Sequence, residues 1–507
     1  MSLKFKFIPL TFQKDEDEIK KQIRNTIILR HLFEQSNKTV PLKSLIESTQ
    51  YGYNASALLS GKNKFLRISD ITDGKVDWET VPFCDCDSED TYLLYTNDLL
   101  IARTGGTTGK SFLIIDPPAH SIYAGYLIRI RANNDADPLF LNLFLNSYVY
   151  WSQIVSLNEG EFRPSANATT LQNLILPFCT PQQQRDAIKI SNSENVIGYE
   201  ILISEIKKAI SDYEKCKTVS IESLMQLNLV EPLIQSIIQD GIQGKLTATW
   251  RTENPKNETA SIFLKRIKAE RENLVKQKKI KKEKSLPTIP KEEIPFELPS
   301  GWVWTYISEI AQIFTGDSIN KDVKNSKYTI EQEGLNYIGT KDVEFGMHGI
   351  NYDTGVIIPA KEINNPFKIA PMNSILLCIE GGSSGKKIGL TTQDVCFGNK
   401  LLATVPHELK LSKYLFFLYN STHFKNEFKN LQSKGLRGGV SINSFKTIKI
   451  PLPPINELMI IIEKLEVKLS KCSQLSKAII TSDTYADHLM QATLKEAFET
   501  KTAVCQD

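Results

Sequence analysis

At 507 residues the chain is too long for a single hydrophobic core, so two to four domains are expected. Its 41% hydrophobic and 9% aromatic content is ordinary for globular protein, and no apolar run approaches the roughly 18–20 residues that span a bilayer. The net charge of +3 leaves any nucleic-acid surface to local clustering of charge, not to bulk charge.

MSLKFKFIPL has no signal-peptide pattern, and the eight cysteines are scattered, which points to a reduced, cytoplasmic protein and away from a membrane. Cys84 and Cys86, the one close pair, lack a second pair or nearby histidines and make a weak metal signal; no metal site is expected.

Residues 1–39 form an N-terminal helical segment, with a helix predicted at 15–35 and Ile19, Ile23 and Ile27 on one face. From 40 to 178 the texture changes to short strand-like runs (LLYTNDLLIA, SFLIID, AGYLIRIRA) broken by Gly, Asn, Asp and Pro. Two motifs in this block tempt and fail. GGTTGKS at 105–111 nearly spells a phosphate-cradling loop, but Thr104 stands where that motif needs Gly, and a strand-like run follows it, not a helix. DPPA at 116–119 resembles the acidic-Pro-Pro-aromatic motif of adenine methyltransferases, yet Ala119 replaces the aromatic residue that stacks on a flipped base. The six histidines are isolated, and no catalytic residue is assigned to this chain.

Residues 179–298 read as a central helical spacer and basic connector. Tyr199, Leu202, Ile206, Ala209, Tyr213 and Cys216 follow a 3-4 spacing, and a helix is drawn from 182 to 213. A further helix is expected at 233–242, LIQSIIQDGI. Next come GKLTATWR at 244–251 and a basic helix from LKRIKAER, with lysines at 276, 278, 279, 281, 282 and 284. Prolines at 287, 290, 295 and 299 then mark an extended connector. The lysine run reads either as a solvated face or as a DNA contact. Residues 299–451 return to strand-like texture. In 452–507 a second seam runs through Leu458, Ile462, Leu465, Leu469, Cys472, Ser476 and Ile479, followed by a helical LMQATLKEAF at 489–498. The two helices that carry these seams are expected to pair with each other as a coiled coil.

The strand-rich blocks are copies of one module. NDLLIARTGGTTGK at 97–110 and NSILLCIEGGSSGK at 373–386 align without a gap, identical at Asn97/Asn373, Leu100/Leu376, Gly105/Gly381, Gly106/Gly382, Gly109/Gly385 and Lys110/Lys386. LFLNS at 143–147 answers FLYNS at 417–421, and LILPFCTP at 174–181 answers IKIPLPP at 448–454. Two copies in one chain suit a reader of a two-part target better than a single active site.

GKLTATWR, the LKRIKAER segment, EEIPFELPSGWVWTYISEIAQIFTG at 292–316 and the Leu/Ile-Pro phrase before a helix at both copies resemble the specificity subunit of type I restriction-modification enzymes. The first copy departs at its opening, where TVPLKSLIESTQYGYN lacks the tryptophan-rich phrase, although Gly52 falls where Gly316 would. The resemblance implies an α+β fold: two similar mixed α/β target recognition domains, at 40–178 and 299–451, separated by two long antiparallel coiled-coil helical spacers in a pseudo-twofold repeat. It implies double-stranded DNA, two methyltransferase (modification) subunits and motor-nuclease (restriction) subunits as partners. No cofactor is expected on this chain itself; S-adenosylmethionine, ATP and Mg2+ would serve the partners. A helix of 182–213 would span roughly 48 Å at about 1.5 Å per residue, enough to hold two readers of half-sites about 34–36 Å apart. The alternative is a coiled-coil scaffold whose paired modules bind protein or RNA.

Base edges are read by side chains such as Arg, Lys, Asn and Gln in exposed loops. The candidates in the first module are Tyr51, Tyr53, Asn54, Arg103, Lys110, Arg163 and Asn167. In the second they are Asn320, Lys321, Lys386, Lys387, Lys434, Arg437, Ser441 and Asn443. EGEFRPSAN and SKGLRGGVSIN occupy matching places, which makes Arg163 and Arg437 the preferred pair, each otherwise a surface arginine paired with a carboxylate.

Overall fold

The structure, a computed structural model, describes residues 16–36, 38–72, 74–104, 107–157, 166–282, 286–328, 333–364, 366–432 and 439–499. The chain divides into two compact units, one built from 1–223 with 481–507 and the other from 224–480. Among the described residues no helix is long and apolar enough to cross a membrane.

In the first unit a four-stranded antiparallel sheet runs Ile46–Tyr51, Leu127–Ala132, Leu99–Ala102, Ser111–Leu113. A three-stranded sheet runs Phe83–Cys84, Asn63–Leu66, Ser121–Tyr123, with the last two strands parallel. The strand Leu99–Ala102 is buried along its whole length because alternate side chains enter different cores. Leu99 and Ile101 join the helical core, while Leu100 and Ala102 join Leu66 and Phe112. Short strands Thr39–Pro41 and Ile175–Pro177 close the module at its ends.

The second unit repeats this plan. Its four-stranded sheet runs Ala311–Thr315, Leu401–Pro406, Ile375–Cys378, Ile388–Leu390. Strands Gly334–Ile338 and Val395–Phe397 form the parallel pair, and Val303–Tyr306 with Lys449–Leu452 closes the module. Even the helical joints match. Asn146 and Asn420 each donate to a carbonyl one turn back, at 2.8 and 2.9 Å, and the buried Ser147 and Ser421 each cap the helix that follows.

The N-terminal helix Glu16–Gln35 is more deeply built in than a one-faced helix. Besides Ile19, Ile23 and Ile27, it buries Ile28, Leu29, Leu32, Asn25, Thr26 and Arg30. Asn25 donates to the Asn146 carbonyl at 2.9 Å and accepts from Ser191 Oγ at 2.7 Å. Arg30 pairs with Glu205 and donates to the carbonyls of Glu496, Ala497 and Glu499 at 3.1–3.3 Å. Those are acceptors that a helix C-terminus leaves open, and a cation there also favours the helix dipole.

The spacer differs from its sequence reading in two respects. The helix drawn from 182 to 213 is broken: one helix spans Pro181–Ser191, the next Glu200–Ile242, and Ser193 and Gly198 between them hold φ of 68° and 89°. The expected separate helices at 233–242 and 489–498 are the last turns of the long helices Glu200–Ile242 and Ile455–Phe498, with Pro232 accommodated inside the first. The two long helices pair with each other within each unit, as the seams led one to expect. In the first unit Leu202, Ile206 and Tyr213 pack with Ile19, Ile23 and Ile27 and with Leu494, Ala497 and Phe498. In the second, Leu458, Ile462 and Leu465 pack with Ile238 and Ile242, while Cys472 and Ile479 pack with Val230. The long helices run antiparallel within each unit, so the start of one meets the end of the other.

Candidate nucleic-acid interface

Four loop segments converge at one end of the four-stranded sheet in the first unit. Tyr53 N donates to the Tyr123 carbonyl at 2.8 Å, Arg103 N to the Tyr126 carbonyl at 2.9 Å, and Ala166 N to the Arg103 carbonyl at 3.0 Å. The second unit ties its loops by the same bonds, Asp317 N to Phe397, Ile379 N to Lys400 and Val440 N to Ile379, at 2.9, 3.1 and 3.3 Å. Gly52 and Gly316 permit the crossing. A Cβ on Gly52 would lie 2.2 Å from the Ala124 oxygen, and one on Gly316 2.0 Å from the Phe397 oxygen. The glycine-rich turns are hairpin loops between antiparallel strands, not phosphate cradles. Gly109 and Gly385 hold φ of 86° and 73° there, against Trp151 and Phe428.

On this common frame the side chains differ, and so does their exposure. The first unit presents Tyr51, Arg103 and Tyr126. The Arg103 guanidinium lies 4.8 Å from the Tyr51 ring centroid, and Tyr51 Oη accepts from Ala168 N at 3.1 Å. Tyr126 is 66% exposed. The second unit carries Thr315, Ile379 and Lys400 at the equivalent positions. A planar cation held on an aromatic ring suits base edges and faces, and an exposed lysine suits phosphate. Tyr126 and Lys400 escaped the sequence reading. Their signal is their shared place next to Leu127 and Leu401 in the repeat.

Other sequence candidates are distributed differently. Tyr53 packs against Tyr92, with ring centroids 5.3 Å apart, and the Asn54 side chain lies against Gly125. Asn167, Asn320 and Ser441 accept backbone N–H bonds from Thr170, Asp322 and Ser444 at 2.8–3.0 Å, so each caps a helix instead of standing free. Lys321 opens the helix that Asn320 caps. Lys387 donates to the Thr340 carbonyl at 2.9 Å and covers the Phe345 ring. Lys386 and Asn443 are exposed. Lys110 follows the first glycine-rich turn; burial holds nearby Lys21 below the usual lysine range, with Glu18 opposing this and Lys110 reinforcing it. Arg163, Lys434 and Arg437 lie outside the described residues. Their chain neighbours are anchored: Gln432 donates to Ser384 Oγ at 3.2 Å, and Val440 bonds Ile379. Cys84 and Cys86 are buried in an apolar cluster with Phe65 and Ile122, and burial pushes the Cys84 thiol up to about 11.

A buried polar node explains why widely spaced sequence phrases occur together. Glu457, 1% exposed, accepts from Thr247 Oγ1 at 2.6 Å, Trp302 Nε1 at 2.9 Å and Arg251 Nη2 at 3.1 Å. Thr247 and Arg251 come from GKLTATWR, Trp302 from PSGWVW, and Glu457 from the helix after the second Pro phrase. Gly244 holds φ of 70°, packed against Pro299 and Trp302. The node fastens the second module to the connector and the long helix.

Residues 299–482 match the family model described as the type I restriction modification DNA specificity domain. Over that segment the chain is similar to this domain. The type I restriction enzyme EcoAI specificity subunit of Escherichia coli is 32% identical over 271 residues, covering 50% of this chain and 42% of that protein. This chain therefore spans less than half the length of that relative. A putative type I restriction enzyme MjaX specificity subunit of Methanocaldococcus jannaschii is 22% identical over 456 residues, covering 86% and 89%. A solved chain from work on complex assembly and conformational transition of the type I R-M system superposes with a TM-score of 0.51 at 18% identity, covering 92% of this chain and 98% of that one. The fold is therefore that of this solved chain. The specificity domain matched at 299–482 contains the second copy, and the first copy has the same strand order.

Proposed function

We propose that the chain is the DNA specificity subunit of a type I restriction-modification complex, reading an asymmetric two-part duplex site with one half per module. The observation that carries this reading is the duplicated loop frame with different side chains: exposed Tyr51, Arg103 and Tyr126 in one copy, half-buried Thr315, buried Ile379 and exposed Lys400 in the other. Identical frames dock on similar backbone geometry, and unlike side chains select unlike bases. The chain's own work is recognition. Two methyltransferase subunits, using S-adenosylmethionine, would flip an adenine out of each half and methylate it. Motor-nuclease subunits, using ATP and Mg2+, would translocate and cut unmethylated DNA in the cytoplasm. The test is selection from a randomised duplex library by the chain assembled with its methyltransferase subunits. A gapped motif with two unlike halves is expected. Enrichment of one continuous motif, or of none, would overturn the proposal.

A further inference from the structure

Beside the strand Ala311–Thr315 lies a cleft of about 1090 Å³, within the unit 224–480. That strand is the outer one of its sheet, so one edge is open to the cleft. Seven of the 21 lining residues are Lys or Arg, and none is Asp or Glu. We propose that this cleft is a docking groove for the DNA phosphate backbone, distinct from the turn 379–387 and the loop 398–401. The proposal rests on the DNA-reading function given above.

The lysine run lines the cleft, and its start is set by the helix before it. The helix Ala260–Lys276 ends with Lys278 at φ 57°, and the N–H groups of Lys279 and Ile280 turn back to the Leu274 carbonyl at 3.0 and 3.5 Å. This is a helix-terminating turn of the left-handed type, which anchors the start of the run. Lys278, Lys279, Lys281 and Lys282 are all exposed, and among the described residues none is in an ion pair. Lys368 also lines the cleft; it donates to the Thr315 carbonyl at 2.9 Å and meets Asp317 at 3.3 Å. The four exposed lysines of the run, close together in a concave surface, repel one another, and an anion relieves that repulsion while the walls focus the field.

Duplex DNA fits better than an acidic peptide because of what adjoins the lysines. Ser441 and Asn443 also line the cleft. They directly follow Val440, whose N–H anchors the recognition loop to Ile379. The groove therefore adjoins the backbone bond between Val440 and Ile379 that ties the second unit's loops. Lysines at this place would add affinity without sequence preference.

The test is titration of mixed-sequence duplex DNA with the full chain in complex with its methyltransferase subunits, over a series of KCl concentrations. Each phosphate contact contributes about 0.9 to the slope of log affinity against log salt, so K278Q/K279Q/K281Q/K282Q should lower the slope by up to about 3.6. The selected motif should stay the same, and the corresponding Lys→Arg set should restore the parental slope. An unchanged slope in a variant of parental helicity overturns the inference while leaving the specificity function standing. The same holds if the variant only aggregates, since lysines also guard open strand edges, or if it loses only binding to a polyglutamate probe. Absence of any duplex binding by the parent complex would instead remove both proposals.

Discussion

Replacing Glu457 by Gln tests whether the buried node holds the second module in place. The side-chain shape is retained, so the effect isolates charge and hydrogen bonding. Oε1 accepts from Thr247 and Arg251, and Oε2 accepts from Trp302. Whichever way the amide turns, its NH2 faces an N–H donor, Arg251 on one side or Trp302 on the other. The charge-assisted bond to Arg251 is lost, about 1.5–3 kcal/mol, and one buried donor is left without an acceptor, about 1–3 kcal/mol. The sum, about 2.5–6 kcal/mol, brackets the range of about 3–5 kcal/mol for breaking a buried ion pair from one side. For a domain of this size that lowers the melting temperature of the second unit by roughly 5–24 °C. Differential scanning calorimetry would measure it, with Arg251→Met/Glu457→Met as the companion. The double variant removes both charges together and should cost less than the sum of its single changes. A Glu457→Gln protein melting within about 1 kcal/mol of the parent, or strictly additive single changes, would refute the reasoning.

Arg103→Ala should cost roughly 1–3 kcal/mol of discrimination at one position of one half-site; uniform weakening on all sequences in a binding assay would make it a phosphate contact instead. Gly52→Ala should impair recognition by the first module and Gly316→Ala that by the second, each by roughly 1–3 kcal/mol of overpacking, measured as half-site preference in competition binding. Burial holds His31 and His423 below the usual histidine range, so the unfolded chain takes up their protons first. Stability should therefore fall as pH drops below about 6.5 and level off below the folded-state values. Chemical unfolding across that range should show it, and His423→Gln should flatten the response of the second unit.

The module repeat was legible because its signals are local. Asn97 and Asn373 hold φ of 75° and 69°, and paired glycines make the same turns, so backbone demands left matching letters in the sequence. The seams were legible as apolar stripes, but the residues they meet were not, since spacing along one helix does not say which part of another it meets. Leu202 finds Phe498, and Leu458 finds Ile242, through antiparallel packing alone. The break at 192–199 carried a usable signal in Asn192, Ser193 and Gly198, which the heptad spacing masked. At the site, residue type was a poor guide. Asn167, Asn320 and Ser441 have the chemistry of base readers, and the same hydrogen-bonding groups cap helices. Tyr126 was overlooked because an exposed tyrosine in a turn has no pattern until Arg103 is placed beside it by the backbone bond to its carbonyl.

The account's central claim is that each module reads its own half of one site. It is tested most directly by mapping N6-methyladenine in DNA from cells co-expressing the methyltransferase subunit with either the parent chain or a Tyr51→Ala/Arg103→Ala/Tyr126→Ala chain. The account predicts a gapped two-part motif methylated on both strands by the parent, with only one half relaxed by the variant. Methylation at a single continuous motif, or a change in both halves at once, would contradict it.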